Sequence, residues 1–348
     1  MNGPLRTEPS SLRLTRRQVL GVEGAELHTV LEADAVTDPR ETGDRGHDSR
    51  GADRNAGQIG CRLDLVLQVK REPIGIGHRD NVASAPVRVG DLELVPLSDG
   101  TAVLPRNFYV DLDWSAHHEL LGRDGRIHMP IGCYLVRGGD HTVLLDAGLG
   151  ARTTEWGRGG ELPAQLASAG CAPDDIDLVV CTHLHLDHAG WLMHEGEPYF
   201  ANATVRFGLG DWKMFVTDAD PTDHIRVAME ALDAAGRLDP MDGDMVALAP
   251  GITARATPGH TSGHYCLVVA SGDERAFLLG DAVECPLQLT EPDFYALSDV
   301  DPDLARRTRE TVWREVEGTA DLVAGAHFPD LRFGRVLTGE GTRWFIPT

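Results

Sequence analysis

Four short segments of this chain supply five candidate ligand histidines and two aspartates, and they constrain it more than any other feature: THLHLDH at Thr182–His188, PGHTSGH at Pro258–His264, LLGD ending at Asp281, and GAHFP around His327. His183, His185, Asp187 and His188 place three imidazoles and a carboxylate within six residues. The apolar run Asp177–Cys181 just upstream reads as a short buried strand that delivers the cluster to the end of a sheet. Nitrogen and carboxylate donors of this kind suit Zn²⁺ and its neighbours in the first transition row. The four segments together can hold two metal ions around one activated water. A lone histidine is usually a packed or solvated imidazole, but chance rarely repeats the pattern after four separate apolar runs.

Elements follow from periodicity and punctuation. Asp91–Leu97 alternates like a half-buried strand, with a turn expected at Ser98–Gly100. Cys133–Val136 and Thr142–Leu145 flank Arg137–Asp140 as a hairpin. Helices are expected at Glu161–Ala169, Thr222–Ala235 and Asp301–Gly318. In the last, Asp301 caps, and Leu304, Thr308, Val312 and Val316 mark the buried stripe. Further strands are expected at Thr204–Phe207, Ile252–Thr257, Tyr265–Ala270, Ala276–Leu279 and Leu322–Ala326, with a closing hairpin of Arg332–Thr338 and Arg343–Ile346. Strands and helices interleave with many hairpins, which points to an α/β chain with a two-sheet core and helices outside.

Composition divides the chain. All 20 aromatic residues lie at or after Phe108. Residues 1–85 are rich in charge and glycine and lack apolar periodicity, so they read as a low-complexity, largely disordered extension, with a stray strand at Leu63–Val69 and a weak helix at Val19–Val36. A start codon placed too far upstream would explain such an extension. Residues 86–348 form the expected catalytic domain and hold 20 basic and 41 acidic side chains, a net of −21. A domain this acidic repels phosphate backbones, which excludes nucleic acid as partner. The six cysteines form no CxxC pair, and Cys133, Cys181 and Cys266 read as small core residues. Paired arginines at Arg16–Arg17 lack the apolar stretch of an export signal, because Glu23, Glu26 and Glu32 interrupt it. No run of about 18 apolar residues exists, so no membrane span is expected. The expected location is cytoplasmic, and a homodimer is left open.

With those segments in hand, the stretch Val87–Pro347 resembles the metallo-β-lactamase superfamily, in whose order the ligand segments occur. The resemblance implies a four-layer αβ/βα sandwich with the metals at the sheet edges. It implies His183, His185 and His260 on a first metal, Asp187, His188 and His327 on a second, and Asp281 bridging both. True β-lactamases of this fold generally lack that bridging aspartate. Ribonuclease Z-like members need basic surfaces, and glyoxalase II-like members carry a basic C-terminal region absent after His327. VGDLELVPLSDGT, PGHTSGH and the AHFP and WFIP ends resemble the N-acyl-homoserine lactonase and methyl parathion hydrolase branch. Lactonases of that branch often place a Tyr three residues after the bridging Asp; this chain has Glu284.

The expected chemistry is attack by a metal-bridging hydroxide on the carbonyl of a small-molecule lactone or ester, with Asp187 also moving the proton. Zinc is the default pair of divalent ions, with Mn²⁺, Fe²⁺ and Co²⁺ compatible. Phosphotriester hydrolysis, or a weakly active metal-binding member, is the alternative. Phe108, Trp191, Glu284 and Tyr295 are the candidate substrate-binding residues, among other apolar residues near the segments such as Trp114, Trp212, Phe215 and Phe294. His264 is expected to pack or hydrogen-bond near the site rather than add an eighth ligand.

Overall fold

A computed structural model describes residues 84–339 and 341–348. Its first sheet contains β1 (Val87–Val89), β2 (Leu92–Pro105), β3 (Arg126–Gly138), β4 (His141–Leu145), β5 (Leu178–Val180), β6 (Thr204–Gly208) and β7 (Leu238–Met241), paired in that order. Gly157–Arg158 adds a short strand against β2. The second sheet contains β8 (Met245–Ala249), β9 (Ile252–Ala256), β10 (Tyr265–Ser271), β11 (Glu274–Leu278), β12 (Leu322–Ala324), β13 (Gly334–Gly339) and β14 (Thr342–Pro347), again in sequence order. Hairpin-linked strands pair antiparallel. Parallel pairs, such as β4 with β5 and β11 with β12, occur where a helix intervenes, because a parallel neighbour needs a crossover. The helices are α1 (Leu162–Ser168), α2 (Leu186–Ala189), α3 (His224–Ala234) and α4 (Pro302–Val316).

Side-chain alternation sets the layers. Along β3, Tyr134 and Val136 face the second sheet and meet Leu267, Leu278 and Phe333. Cys133 and Leu135 face the other way, into a cluster with Leu162 and Leu166 of α1 and Ile225 and Met229 of α3. Both faces are covered, so the strand is apolar throughout. The outer face of the second sheet, through Phe277, Val323 and Val336, packs on Val312, Trp313 and Val316 of α4. Each such buried aliphatic side chain contributes about 1.5–3 kcal/mol. The order is helix, sheet, sheet, helix, the αβ/βα sandwich expected.

Caps match their sequence signals. Asp301 accepts from Leu304 N at 2.9 Å, and Asp223 accepts from Ile225 N and Arg226 N. Other expectations need correction. β2 runs through Ser98–Gly100, where a bulge replaces the expected turn; a Cβ on Gly100 would sit 1.8 Å from the Arg158 carbonyl. The buried stripe of α4 is Ala305, Arg309, Val312, Trp313 and Val316, rotated from the expected Leu304 and Thr308. Thr308 sits at the rim, its hydroxyl donating to Pro258 O at 2.7 Å. β7 went unpredicted because its polar sequence LDPM, with a proline tolerated at a sheet edge, shows no alternation.

The expected strand at Leu63–Val69 and helix at Val19–Val36 lie outside the described residues, as does nearly all of the 1–85 extension. Ser84, within that extension, donates to Asp330 O and Leu331 O. No helix among the described residues is long and apolar enough to cross a membrane.

Candidate metal centre

The four segments lie at strand ends on one edge of the sandwich. Thr182–His185 leaves β5 and continues into α2, which carries Asp187 and His188. His260 lies in the turn between β9 and β10, Asp281 follows β11, and His327 follows β12. Backbone contacts join the two sheets here: Tyr265 N donates to Thr182 O at 2.8 Å, and a Cβ on Gly208 would lie 1.9 Å from Gly263 O. Asp211 ties the first two segments together. Its carboxylate accepts from Leu184 N at 3.1 Å, Thr261 Oγ1 at 3.0 Å and Gly263 N at 2.7 Å.

Two donor groups result. His185 Nδ1 lies 2.8 Å from His183 Nε2 and 3.0 Å from His260 Nε2. On the other side, Asp187 Oδ2 lies 3.8 Å from His188 Nε2 and 3.6 Å from His327 Nε2. Asp281 stands between them. Its Oδ2 is 3.4 Å from His260 Nε2 and 3.5 Å from His188 Nε2, and its Oδ1 is 3.3 Å from His327 Nε2.

Outer-ring contacts fix which nitrogen points inward. His188 Nδ1 donates to Asp146 Oδ2 at 2.9 Å, His260 Nδ1 to Asp299 Oδ1 at 2.9 Å, and His327 Nδ1 to Pro130 O at 2.7 Å. The Thr182 hydroxyl donates to Asp146 Oδ2 at 3.0 Å, so it accepts from His183 Nδ1 at 3.0 Å. Four Nε2 lone pairs are thereby turned toward the centre. His185 enters through Nδ1, and its ring meets the Phe215 ring at 5.3 Å.

This donor set fits cations. One proton cannot satisfy three imidazole nitrogens that converge on one point, whereas a small cation can. His188 Nε2 and Asp281 Oδ1 are buried and lack a hydrogen-bond partner among the described residues, a cost that a cation would remove. Charge tells the same story. Burial, followed by the neighbouring imidazoles, pushes His183 and His185 well below the usual imidazole range. Burial opposes the cation at His327 too, but Asp281 and then Asp187 outweigh it and raise that group to about 9. Burial opposes the Asp281 anion, yet His327 and His188 hold its carboxyl well below the carboxylate range. Without a metal, protons occupy the positions that cations would take.

All seven expected ligands are brought together. His264 does not join them: its Nε2 accepts from Asp281 N at 3.0 Å, and its Nδ1 donates to Thr257 Oγ1 at 2.8 Å. Of the candidate substrate residues, Glu284 reaches the site, its Oε1 lying 3.7 Å from His260 Nδ1. Burial, followed by Asp281, raises its carboxyl above the usual range. Trp191 is packed in the helix-side core, its Nε1 donating to Asp99 Oδ1 at 2.8 Å. That hydrogen bond turns the indole inward, away from any substrate wall. Tyr295 belongs to a small ribbon, Tyr109–Val110 with Tyr295–Ala296, and Phe108 just precedes it, its carbonyl accepting from Leu297 N at 2.9 Å. The ribbon caps an apolar cluster that includes Leu186, Cys285 and Phe294. Asp146, Asp211 and Asp299 were missed as supporting residues. Only Asp146 carried a signal, an aspartate closing the strand in LLDAGLG, where the backbone turns with φ 61°.

Residues 129–327 match the model for the Metallo-beta-lactamase superfamily. The chain belongs to that superfamily. N-acyl homoserine lactonase AiiB of Agrobacterium fabrum is 31% identical over 186 residues, 44% of this chain and 62% of that protein. The match thus spans under two thirds of AiiB. N-acyl homoserine lactonase AiiA of Bacillus thuringiensis subsp. kurstaki is 25% identical over 226 residues, 59% of this superfamily member and 85% of AiiA. Acyl-coenzyme A thioesterase MBLAC2 of Gallus gallus is 31% identical over 162 residues, 40% of this chain and 56% of that one. Among solved structures, AidC, a dizinc quorum-quenching lactonase, superposes with a TM-score of 0.65 at 21% identity, covering 77% of this chain and 99% of AidC. At that identity the likeness speaks for the metallo-β-lactamase fold alone.

Proposed function

We propose that residues 86–348 form a metal-dependent hydrolase with two divalent ions, zinc by default, that opens the carbonyl of a small lactone or ester. The observation that carries this reading is the pair of three-donor groups sharing Asp281. Relatives named as lactonases support the substrate class. When bound, two such ions supply a hydroxide nucleophile at neutral pH and polarise the carbonyl.

The protein's own residues do the rest. His183, His185 and His260 hold one position, Asp187, His188 and His327 the other, and Asp281 both. Asp187 is more open to a substrate than Asp281, His188 and His327, its side chain 15% exposed against 6% or less. In this reading its second oxygen takes a proton and returns it to the departing alkoxide oxygen. The half-buried Phe108 and Tyr295 offer an apolar wall suited to an acyl arm.

The thioesterase relative gives a second reading, hydrolysis of an acyl thioester by the same residues. Assays on N-acyl-homoserine lactones, aryl esters, an acyl thioester and a phosphotriester decide between them. Lactone turnover with the highest kcat/KM is expected. Turnover of the phosphotriester or thioester alone would overturn the lactonase reading.

A further inference from the structure

The turn that carries His260 is clamped onto the start of α4. Val300 N donates to His260 O and Asp301 N to Gly259 O, both at 2.9 Å. A Cβ on Gly259 would meet Ala305 N at 2.2 Å, so only glycine lets the turn approach the helix this closely. Asp299, just before the helix, takes the outer nitrogen of His260 at 2.9 Å. Behind Asp299 lies Arg309, from the buried face of α4, with Nη2 3.9 Å from Asp299 Oδ2 and both side chains 3% exposed.

That separation is too long for a hydrogen bond. Nε and Nη1 of Arg309 also lack a hydrogen-bond partner among the described residues. Taking a guanidinium out of water is costly, and replacing a whole buried ion pair by apolar side chains of similar volume is often neutral or stabilising. Fold stability therefore gives little reason for a buried charged cluster here. What the charge does have nearby is Asp299 and, beside it, Glu284, two buried carboxylates behind a single candidate ligand. A cation there offsets both and leaves Asp299 free to accept from the imidazole. An acceptor on the outer nitrogen fixes the ring and raises its strength as a ligand.

We propose that Asp299 is a positioning residue for His260 and Arg309 its counter-charge, so that α4 governs how tightly the His183–His185–His260 position holds its ion. The proposal rests on the two-ion reading given above. The test is zinc titration of the full chain against a chromophoric chelator, with urea unfolding of the metal-stripped proteins in parallel. Wild-type protein should bind two ions. Asp299→Ala should weaken one of them by about 10- to 100-fold and leave the other nearly unchanged. Asp299→Asn, which still offers an oxygen to Nδ1, should lose less. Arg309→Met should weaken the same ion and leave the other nearly unchanged, with the stripped protein destabilised because the buried carboxylates lose their counter-charge.

Wild-type affinities for both ions in Asp299→Ala and Arg309→Met would overturn the proposal. So would equal weakening of both ions accompanied by destabilised stripped protein, the mark of a purely structural role. A wild-type chain binding fewer than two ions would instead refute the two-ion reading, and the proposal with it.

Discussion

His188 Nδ1 lies 2.9 Å from Asp146 Oδ2, so an aspartate at the end of β4 orients a candidate ligand carried by α2. The same carboxylate accepts from Thr182 N at 2.7 Å, which binds the start of the first ligand segment to the same point. Asp146→Ala should therefore weaken the ion at the Asp187–His188–His327 position by about 10- to 100-fold. Chelator competition checks this, and unchanged affinity for both ions would contradict it.

Asp211 accepts three hydrogen bonds from two ligand segments while buried. Asparagine offers one oxygen and turns an NH₂ toward donors. Asp211→Asn should destabilise the protein by about 1–3 kcal/mol for each donor left unpaired. Urea unfolding measures it, and a loss well under 1 kcal/mol would show that the segments are held together by other contacts.

Acid should act through His264. Burial lowers its imidazole to about 3 in the folded protein, against about 6.5 in an unfolded chain. The folded value is depressed, so this contribution is complete above about 6.5 and is lost as pH falls toward 3. Metal-stripped protein should lose stability across that window, less steeply in His264→Gln. Identical slopes for the two proteins would exclude His264 as a source.

Metal binding should release protons. His327 titrates at about 9 in the metal-free site, raised by Asp281 and Asp187 against the effect of burial, and must be neutral to bind an ion. Apparent affinity should rise with pH and level off above about 9. Calorimetry at pH 7.5 in buffers of different ionisation enthalpy should give buffer-dependent heats; buffer-independent heats would argue against the assignment.

Asp187→Asn, assayed at saturating zinc with two ions per chain verified, should lower kcat by about 10²- to 10⁴-fold. A wild-type rate would remove Asp187 from the proton-transfer step.

The candidate metal donors were legible in the sequence because their chemistry admits few residue types, and each group followed its own apolar run. The sandwich was legible in outline for a related reason: buried strands such as Cys133–Val136 are apolar on both faces. Asp211, Asp299 and Arg309 were not. Each is one charged residue in an unremarkable stretch, and only the packed fold brings it to a ligand segment or its outer nitrogen. The stripe on α4 was misjudged because Arg309 reads as a solvent-facing residue, whereas the fold buries it. Trp191 shows the opposite error, a large aromatic beside the ligands that the Asp99 hydrogen bond draws into the core.

The most direct measurement is the zinc content of the full chain after exhaustive dialysis from zinc-replete buffer, alongside Asp281→Ala. Two ions per chain in the wild type, with clear loss in the variant, are predicted. Fewer than two in the wild type, or two still held without Asp281, would contradict the account.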